Sequence, residues 1–327
     1  VVEFREFSDD DLQKMQEQAT KLLQEEIVQS AGTVSLNLSS GLKVWSLVFN
    51  DTFKSQLSNL KIFCLSQNGT VFNLTFGDSH AKVKFDMDAQ FRLLGNEIAS
   101  YTPFSDYTAE DLQLMGRIKN LASNNRYRET FKELTKEFVQ KANNRVEPNS
   151  AIEVNKGDAS LSWNNETHSF SIYINGLEFD CDEPHAWHIL LNTGWFEVYV
   201  AKLLAQFFSP DNIRLNCLFK TKTDSAKNEV DIIVNTGEKL IFVECKTQVY
   251  NTTDVDKFES VVRTYGGLGS KALFVTYHPM KGEALEKCNE KRITAYCYPQ
   301  SNNLNAGDKN RQMKQMLDKL IKEWNTK

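Results

Sequence analysis

No stretch of this 327-residue chain approaches the ~20 consecutive apolar residues that a membrane-spanning helix needs. No secretory signal peptide is recognisable either. Both absences predict a cytoplasmic protein with no membrane partner. Paired cysteines are also missing. Cys64, Cys181, Cys217, Cys245, Cys288 and Cys297 show no CxxC pairing and no zinc spacing. Several lie inside apolar runs and read as reduced core residues, which suits the same compartment. Nor does one sign of charge dominate. A net charge of −5 does not advertise nucleic-acid binding. Its distribution is less even: residues 1–26 carry eight acids against three bases, and residues 291–327 eight bases against three acids. What remains is ordinary globular material, 41% hydrophobic and 25% charged. At this length it is enough for two domains or three, each with a real core.

The most informative stretch is Asn228–Thr247, NEVDIIVNTGEKLIFVECKT. Val230–Val234 and Leu240–Val243 are apolar, β-branched runs flanking Asn235-Thr236-Gly237-Glu238, which predicts a strand, a tight turn and a second strand. Acids stand where a core hairpin would be apolar: Glu229 and Asp231 open the first strand, and Glu244 and Lys246 close the second. Side chains alternate along a strand, so Glu244 and Lys246 share one face and Cys245 takes the other. Normal pairing puts Asp231 across from them. Two carboxylates and an ammonium then converge at one sheet edge. Hard divalent cations take carboxylate oxygens, Mg2+ usually one or two plus waters. A bound cation activates water and neutralises charge on a phosphate, and a lysine can orient that water. Solvated charges on an exposed hairpin would look similar, but LIFV runs straight into the charged triplet. The spacing resembles the PD-(D/E)xK nuclease motif.

In chain order, Val1–Phe4 reads as a strand, so the chain is expected to begin in mid-fold. Ser8 is a candidate N-cap, followed by Asp9, Asp10 and Asp11 at the positive end of a helix whose stripe is Leu12, Met15, Ala19, Leu22 and Leu23. Strand Thr33–Leu38, helix Leu42–Phe53 and strand Lys61–Ser66 suggest an open parallel sheet, and Gln67-Asn68-Gly69 is expected to turn Lys61–Ser66 into a short hairpin with Thr70–Leu74. The loop NLSSGLK, with Asn37, Ser39, Ser40, Gly41, Leu42 and Lys43, joins strand to helix. In open α/β sheets ligands bind there, and a helix N-terminus favours an anion. By itself this signal is no stronger than an ordinary βα loop. Residues 81–145 read as helical over Ala89–Ile98, Ala109–Leu121 and Thr130–Ala142, with a linker over 144–158. Leu161–Trp163 and Ser169–Ile174 read as a two-stranded wing. His185 and His188 form an i, i+3 pair without a third ligand nearby, which suits helix-start chemistry better than a metal site. Trp195–Phe207 is expected to be an amphipathic helix with Glu197 in its first turn, either stabilising the dipole or adding a carboxylate to the metal site. Helix Asp254–Thr264, strand Ala272–Thr276, strand Arg292–Tyr298 and a final amphipathic helix through Met313, Met316, Leu317, Leu320 and Trp324 complete the chain.

GWFEVYV at Gly194–Val200, NEVDIIV at Asn228–Val234 and VECKT at Val243–Thr247, in this order, resemble the CRISPR-associated nucleases switched on by cyclic oligoadenylate. NLSSGLK is similar to the second signature loop of their sensor, with Ser40 and Leu42 in place of the usual Gly and Thr. The resemblance implies an α/β chain of three parts. Residues 1–80 would be a Rossmann-like CARF sensor lacking its first half, residues 81–185 a helical connector with a small winged hairpin, and residues 186–327 an α/β/α domain of PD-(D/E)xK restriction-endonuclease type. It implies a homodimer that binds cyclic oligoadenylate, usually cyclic tetra-adenylate, across its two-fold axis, and cuts single-stranded DNA or RNA, or nicks duplex DNA, with Mg2+ or Mn2+. Glu197, Asp231, Glu244 and Lys246 carry over as the catalytic set, Glu197, Asp231 and Glu244 as the metal ligands. Asn37, Ser39, Ser40, Gly41, Leu42 and Lys43 carry over as ligand contacts.

Two other readings fit the residues. One is a restriction- or repair-type endonuclease without nucleotide activation, its N-terminal half recognising DNA. The other is a non-catalytic nucleotide-binding switch, against which the intact Asp231…Glu244-x-Lys246 set argues.

Overall fold

The computed structural model describes residues 12–30, 32–38, 43–65, 71–76, 78–80, 86–142, 151–220, 228–237, 239–249, 251–267, 269–280, 282–298 and 306–325. The expected strand Val1–Phe4, the cap at Ser8 with Asp9, Asp10 and Asp11, and the loop residues Ser39, Ser40, Gly41 and Leu42 lie outside them. The chain divides into two compact units, Val1–Phe85 and Asp86–Lys327.

The first unit runs α1 (Leu12–Leu23), α2 (Glu26–Gln29), β1 (Val34–Asn37), α3 (Lys43–Lys54), β2 (Leu60–Leu65), β3 (Val71–Asn73) and β4 (Asp78–His80). The expected stripe of α1 is buried at Met15, Ala19 and Leu23, while Leu12 is exposed. β1 and β2 pair in parallel, Val34 opposite Leu60 and Asn37 opposite Phe63, with α3 as the crossover. β3 pairs antiparallel with β2, as the expected hairpin requires, and β4 adds a further antiparallel strand that was not expected, so the sheet is mixed. Leu23, Phe53, Leu60 and Ile62 form its core.

The second unit opens with α4 (Met87–Leu93) and β5 (Ile98–Pro103), then α5 (Ala109–Ser123) and α6 (Arg128–Lys141). Helix was expected over Ala89–Ile98. The helix stops at Leu93, Gly95 takes a positive φ, and the β-rich run IASYTP becomes a strand. α5 begins at a capping box in which Thr108 and Asp111 satisfy each other's backbone amides. Next come β6 (Ile152–Lys156), β7 (Ala159–Asn164), β8 (Ser169–Ile174) and β9 (Leu177–Cys181). The expected two-stranded wing is thus the middle of a four-stranded antiparallel meander. Its alternation is strict: Ala159, Leu161 and Trp163 of β7 face the core, as do Phe170, Ile172 and Ile174 of β8.

Helices α7 (Ala186–Leu190) and α8 (Gly194–Leu204) lead into β10 (Ile213–Phe219), β11 (Glu229–Asn235), β12 (Leu240–Lys246), α9 (Thr253–Gly266), β13 (Lys271–Thr276), α10 (Gly282–Glu290), β14 (Thr294–Cys297) and α11 (Ala306–Asn325). Their strands form a six-stranded mixed sheet, ordered β14-β13-β12-β11-β10-β5. β5, expected to lie in the connector, is therefore an edge of this sheet. α8 was expected to be amphipathic, yet eight of its eleven residues are buried. A helix apolar nearly all round belongs inside a core, and one apolar cluster runs from Phe104 through α8 and β10–β13 to Leu320. No helix among the described residues is long and apolar enough to cross a membrane.

Candidate active site

The hairpin β11–β12 forms as its sequence predicts. Ile232 pairs with Val243 and Asn235 with Leu240. The turn is closed by the Thr236 amide and hydroxyl donating to the Lys239 carbonyl, with Gly237 at φ 87°. This register places Asp231 beside the end of β12. Its Oδ2 accepts the Cys245 amide at 2.7 Å and lies 3.9 Å from Lys246 Nζ. Glu244 Oε1 sits 2.6 Å from the same ammonium. Asp231 and Glu244 keep only 13% and 16% of their side-chain surface, and Lys246 keeps 36%, so the ammonium remains reachable from solvent.

Desolvation dominates the electrostatics. Burial, and then the charge of Glu197, push the Asp231 carboxyl up to about 7, against the pull of Lys246 and the Cys245 amide. Burial, and then the charge of Asp231, push Glu244 up to about 7 as well. Burial works against the Lys246 ammonium, but the two carboxylates outweigh it and hold its pKa above the usual lysine range. Two acids and a lysine share too little water, which is common where chemistry is done. Among the described residues no three His, Cys, Asp or Glu side chains converge into a ready-made metal cage.

Glu197 reaches this edge from the first turn of α8 and turns part of its carboxylate elsewhere. Its Oε2 lies 3.0 Å from His188 Nε2, and His188 Nδ1 lies 2.7 Å from the Tyr107 hydroxyl. Burial drops the His188 imidazole to about 4. It is therefore neutral at physiological pH, with Nε2–H donating to Glu197 and the Tyr107 O–H donating to Nδ1. His185 belongs to a neighbouring cluster: Asp111, fully buried, accepts its amide at 3.0 Å and meets its Nδ1 at 2.9 Å, and Tyr107 stacks on its ring at 4.2 Å. Each histidine of the pair has partners of its own. His188 holds Glu197, and His185 ties α7 to α5.

The turn that aims Glu197 is tight. Asn192 and Thr193 both adopt positive φ, 51° and 67°. A Cβ on Gly194 would fall 1.9 Å from the His188 carbonyl oxygen, so only glycine fits. Gly194 was visible in the sequence as part of GWFE. Tyr107 was not, because it lies 81 residues from His188 in a segment with no motif.

The sequence-predicted loop residues fall in the first unit. Asn37 ends β1 and is exposed, and Lys43 opens α3. The loop between them follows the carboxyl end of a strand paired in parallel, as expected.

Residues 185–312 match the Card1-like endonuclease domain family. No curated protein matches the chain significantly. Among solved structures, the chain is similar to Can2 from Sulfobacillus thermosulfidooxidans, in complex with cyclic tetra-adenylate, at 18% identity and a TM-score of 0.56, over 94% of this chain and 81% of that one. It is also similar to protein VC1899 from Vibrio cholerae, at 16% identity and a TM-score of 0.64, over 96% and 82% of the two chains. These likenesses extend through both units of the α/β fold. The acid–acid–lysine edge lies inside the segment that matches this endonuclease family, and the protein is a nuclease.

Proposed function

We propose that this chain is a cyclic-oligoadenylate-activated, metal-dependent endonuclease of type III CRISPR antiviral defence. The observation that carries the chemistry is the convergence of Asp231, Glu244 and Lys246 on one sheet edge. An antiparallel hairpin followed by a parallel strand at β12–β13 supports reading this sheet as a PD-(D/E)xK core. The activator rests on the similarity to Can2, which binds cyclic tetra-adenylate, and on the βα loop ending at Lys43. The first unit is then a Rossmann-like CARF sensor, and the active form a homodimer around one ring.

A divalent cation fits the catalytic edge. Two carboxylates lifted to about 7 are short of positive charge, and Mg2+ or Mn2+ needs only one or two of them, with waters and phosphate oxygens completing the shell. Asp231 and Glu244 would hold the ion, and Glu197 would take a water of its shell or join as a third ligand. Once bound, the ion supplies an activated water and offsets charge on the phosphate. Lys246, always protonated here, donates to the attacking water or to the phosphate oxygens. His188 and Tyr107 keep the Glu197 carboxylate pointed at the site.

The test is cleavage of single-stranded oligonucleotides and of plasmid in Mg2+ or Mn2+, with a panel of cyclic oligoadenylates. Cleavage that needs metal and one ring size is the expected outcome. Metal-dependent cleavage indifferent to every ring would replace this reading by a restriction- or repair-type endonuclease.

A further inference from the structure

A cavity of about 520 Å³ adjoins the catalytic edge. It is built from the segments that follow the sheet strands and from two helices. Thr247 lines it, one residue past Lys246, together with Tyr277 and His278, which follow β13. The Tyr277 amide donates to the Lys246 carbonyl at 3.0 Å and the His278 amide to the Thr247 carbonyl at 2.9 Å. These bonds extend the β12–β13 pairing past the strand ends, so the cavity starts where the catalytic strand stops. Trp195, two residues before Glu197, is buried behind the cavity and meets the partly exposed Tyr277 edge-on at 5.4 Å. On the far side, Arg128 and Lys132 stand at i and i+4 of α6, on one helix face. Glu129 also lines the cavity and pairs with Arg128 at 3.0 Å, both being solvent-exposed.

Three features coincide here. The volume is that of a small-molecule site and far too small for a duplex. Its wall offers rings, on which any base can stack. Its rim offers cations at the spacing of one helical turn, which suits phosphates on either side of a base. Resting on the nuclease reading of the adjoining edge, we propose that the cavity receives one unstacked nucleoside of a single-stranded substrate next to the scissile phosphate. Tyr277 and His278 face the base, and Arg128 and Lys132 hold the flanking phosphates. A duplex must then extrude a nucleotide to be cut, which selects for single strands and for already unpaired positions.

The experiment is a binding measurement, independent of catalysis. The full chain is titrated in Ca2+, with and without cyclic tetra-adenylate, against a short fluorescent single strand and against versions with one abasic site at each position in turn. The account expects one position whose missing base weakens binding about 5–150-fold, with small effects elsewhere. Thr135 also lines the cavity, and Thr135→Phe should weaken the intact strand and erase that positional penalty. Lys132→Ala should weaken all strands alike and reduce the salt slope by about 0.7. A flat abasic profile, or no binding of the intact strand, overturns the proposal. Cleavage of the intact strand in Mn2+ is read separately. Cleavage with a flat profile removes the cavity and leaves the nuclease, whereas a sharp profile without cleavage does the reverse.

Discussion

The two units spend their apolar residues differently. In Asp86–Lys327, helix, meander and sheet share one cluster from Phe104 to Leu320, and Asp231 and Glu244 keep only 13% and 16% of their side-chain surface. In Val1–Phe85 the described core divides into two small groups, Leu23, Phe53, Leu60 and Ile62, and Met15, Ala19 and Val48. Leu47 and Phe76 remain 65% and 71% exposed. Desolvated acids need a dense, stiff surround to stay unscreened. A unit that must respond to a ligand is better drawn from thinly packed structure, where alternative arrangements differ by little. The division predicts that substitutions in the first unit change how much activator is needed, and that substitutions in the second change the rate or the fold.

The largest expected effect tests the first half of that division. Lys43 is the first residue of α3, and under the proposed activation it pairs with a ring phosphate as a point charge. A two-fold dimer would lose two such contacts at once in Lys43→Ala. At about 1.5–3 kcal/mol each, the activator midpoint should rise roughly 10²–10⁴-fold, with little change in maximal rate. An unchanged midpoint in a ring-nucleotide dose–response would return the loop to ordinary βα structure.

Glu244→Gln tests the second half. Cleavage should fall on the order of 10²-fold or more through loss of a metal ligand, with ring binding intact. The same substitution should stabilise the metal-free protein. Glu244 has a folded pKa raised from 4.5 to about 7, so its protonated form is the one the fold prefers. Its contribution to stability is complete below its unfolded value and is lost as pH rises through 7. Glu244→Gln should therefore match wild type near pH 4 and exceed it by about 1–3 kcal/mol at pH 8. Thermal melts across that range, without metal, would show the gap opening. A gap constant in pH would refute the desolvation argument.

Smaller effects sharpen the same contrast. His188→Ala removes the donor that orients Glu197, and should weaken metal dependence about 10–100-fold while leaving the ring midpoint unmoved. His188→Gln, which keeps a donor, should recover part of the loss. Metal titrations that coincide for wild type and both variants would show that Glu197 needs no orientation. Gly194→Ala forces a Cβ against the His188 carbonyl and should cost about 1–3 kcal/mol in chemical denaturation. An unchanged midpoint there would mean that the α7–α8 turn yields freely.

Much of the catalytic edge was legible because a β-hairpin is local. The pleat puts Glu244 and Lys246 on one face, and the turn sets the register that brings Asp231 to them. What sequence could not supply was non-local. β5 is not legible as a strand, since the expected helix Ala89–Ile98 ends on its first residue and its partner β10 lies more than 100 residues later. Tyr107 has no reason to matter until α5 and α7 bring it against His188. α8 looked amphipathic because its apolar residues were counted on one side, whereas the surrounding core covers it nearly all round. The loop at Asn37–Lys43 was read from its place between strand and helix, and that placement stands, while its chemistry rests on resemblance.

The central claim is that ring binding in one unit licenses phosphodiester hydrolysis by Asp231, Glu244 and Lys246 in the other. One assay addresses it directly: cleavage of a labelled single strand in Mn2+, with and without cyclic tetra-adenylate, by wild type and Lys246→Ala side by side. The account predicts cleavage by wild type only when the ring is present, and none by the variant under either condition. Cleavage by Lys246→Ala at the wild-type rate, or wild-type cleavage indifferent to the ring, would contradict it.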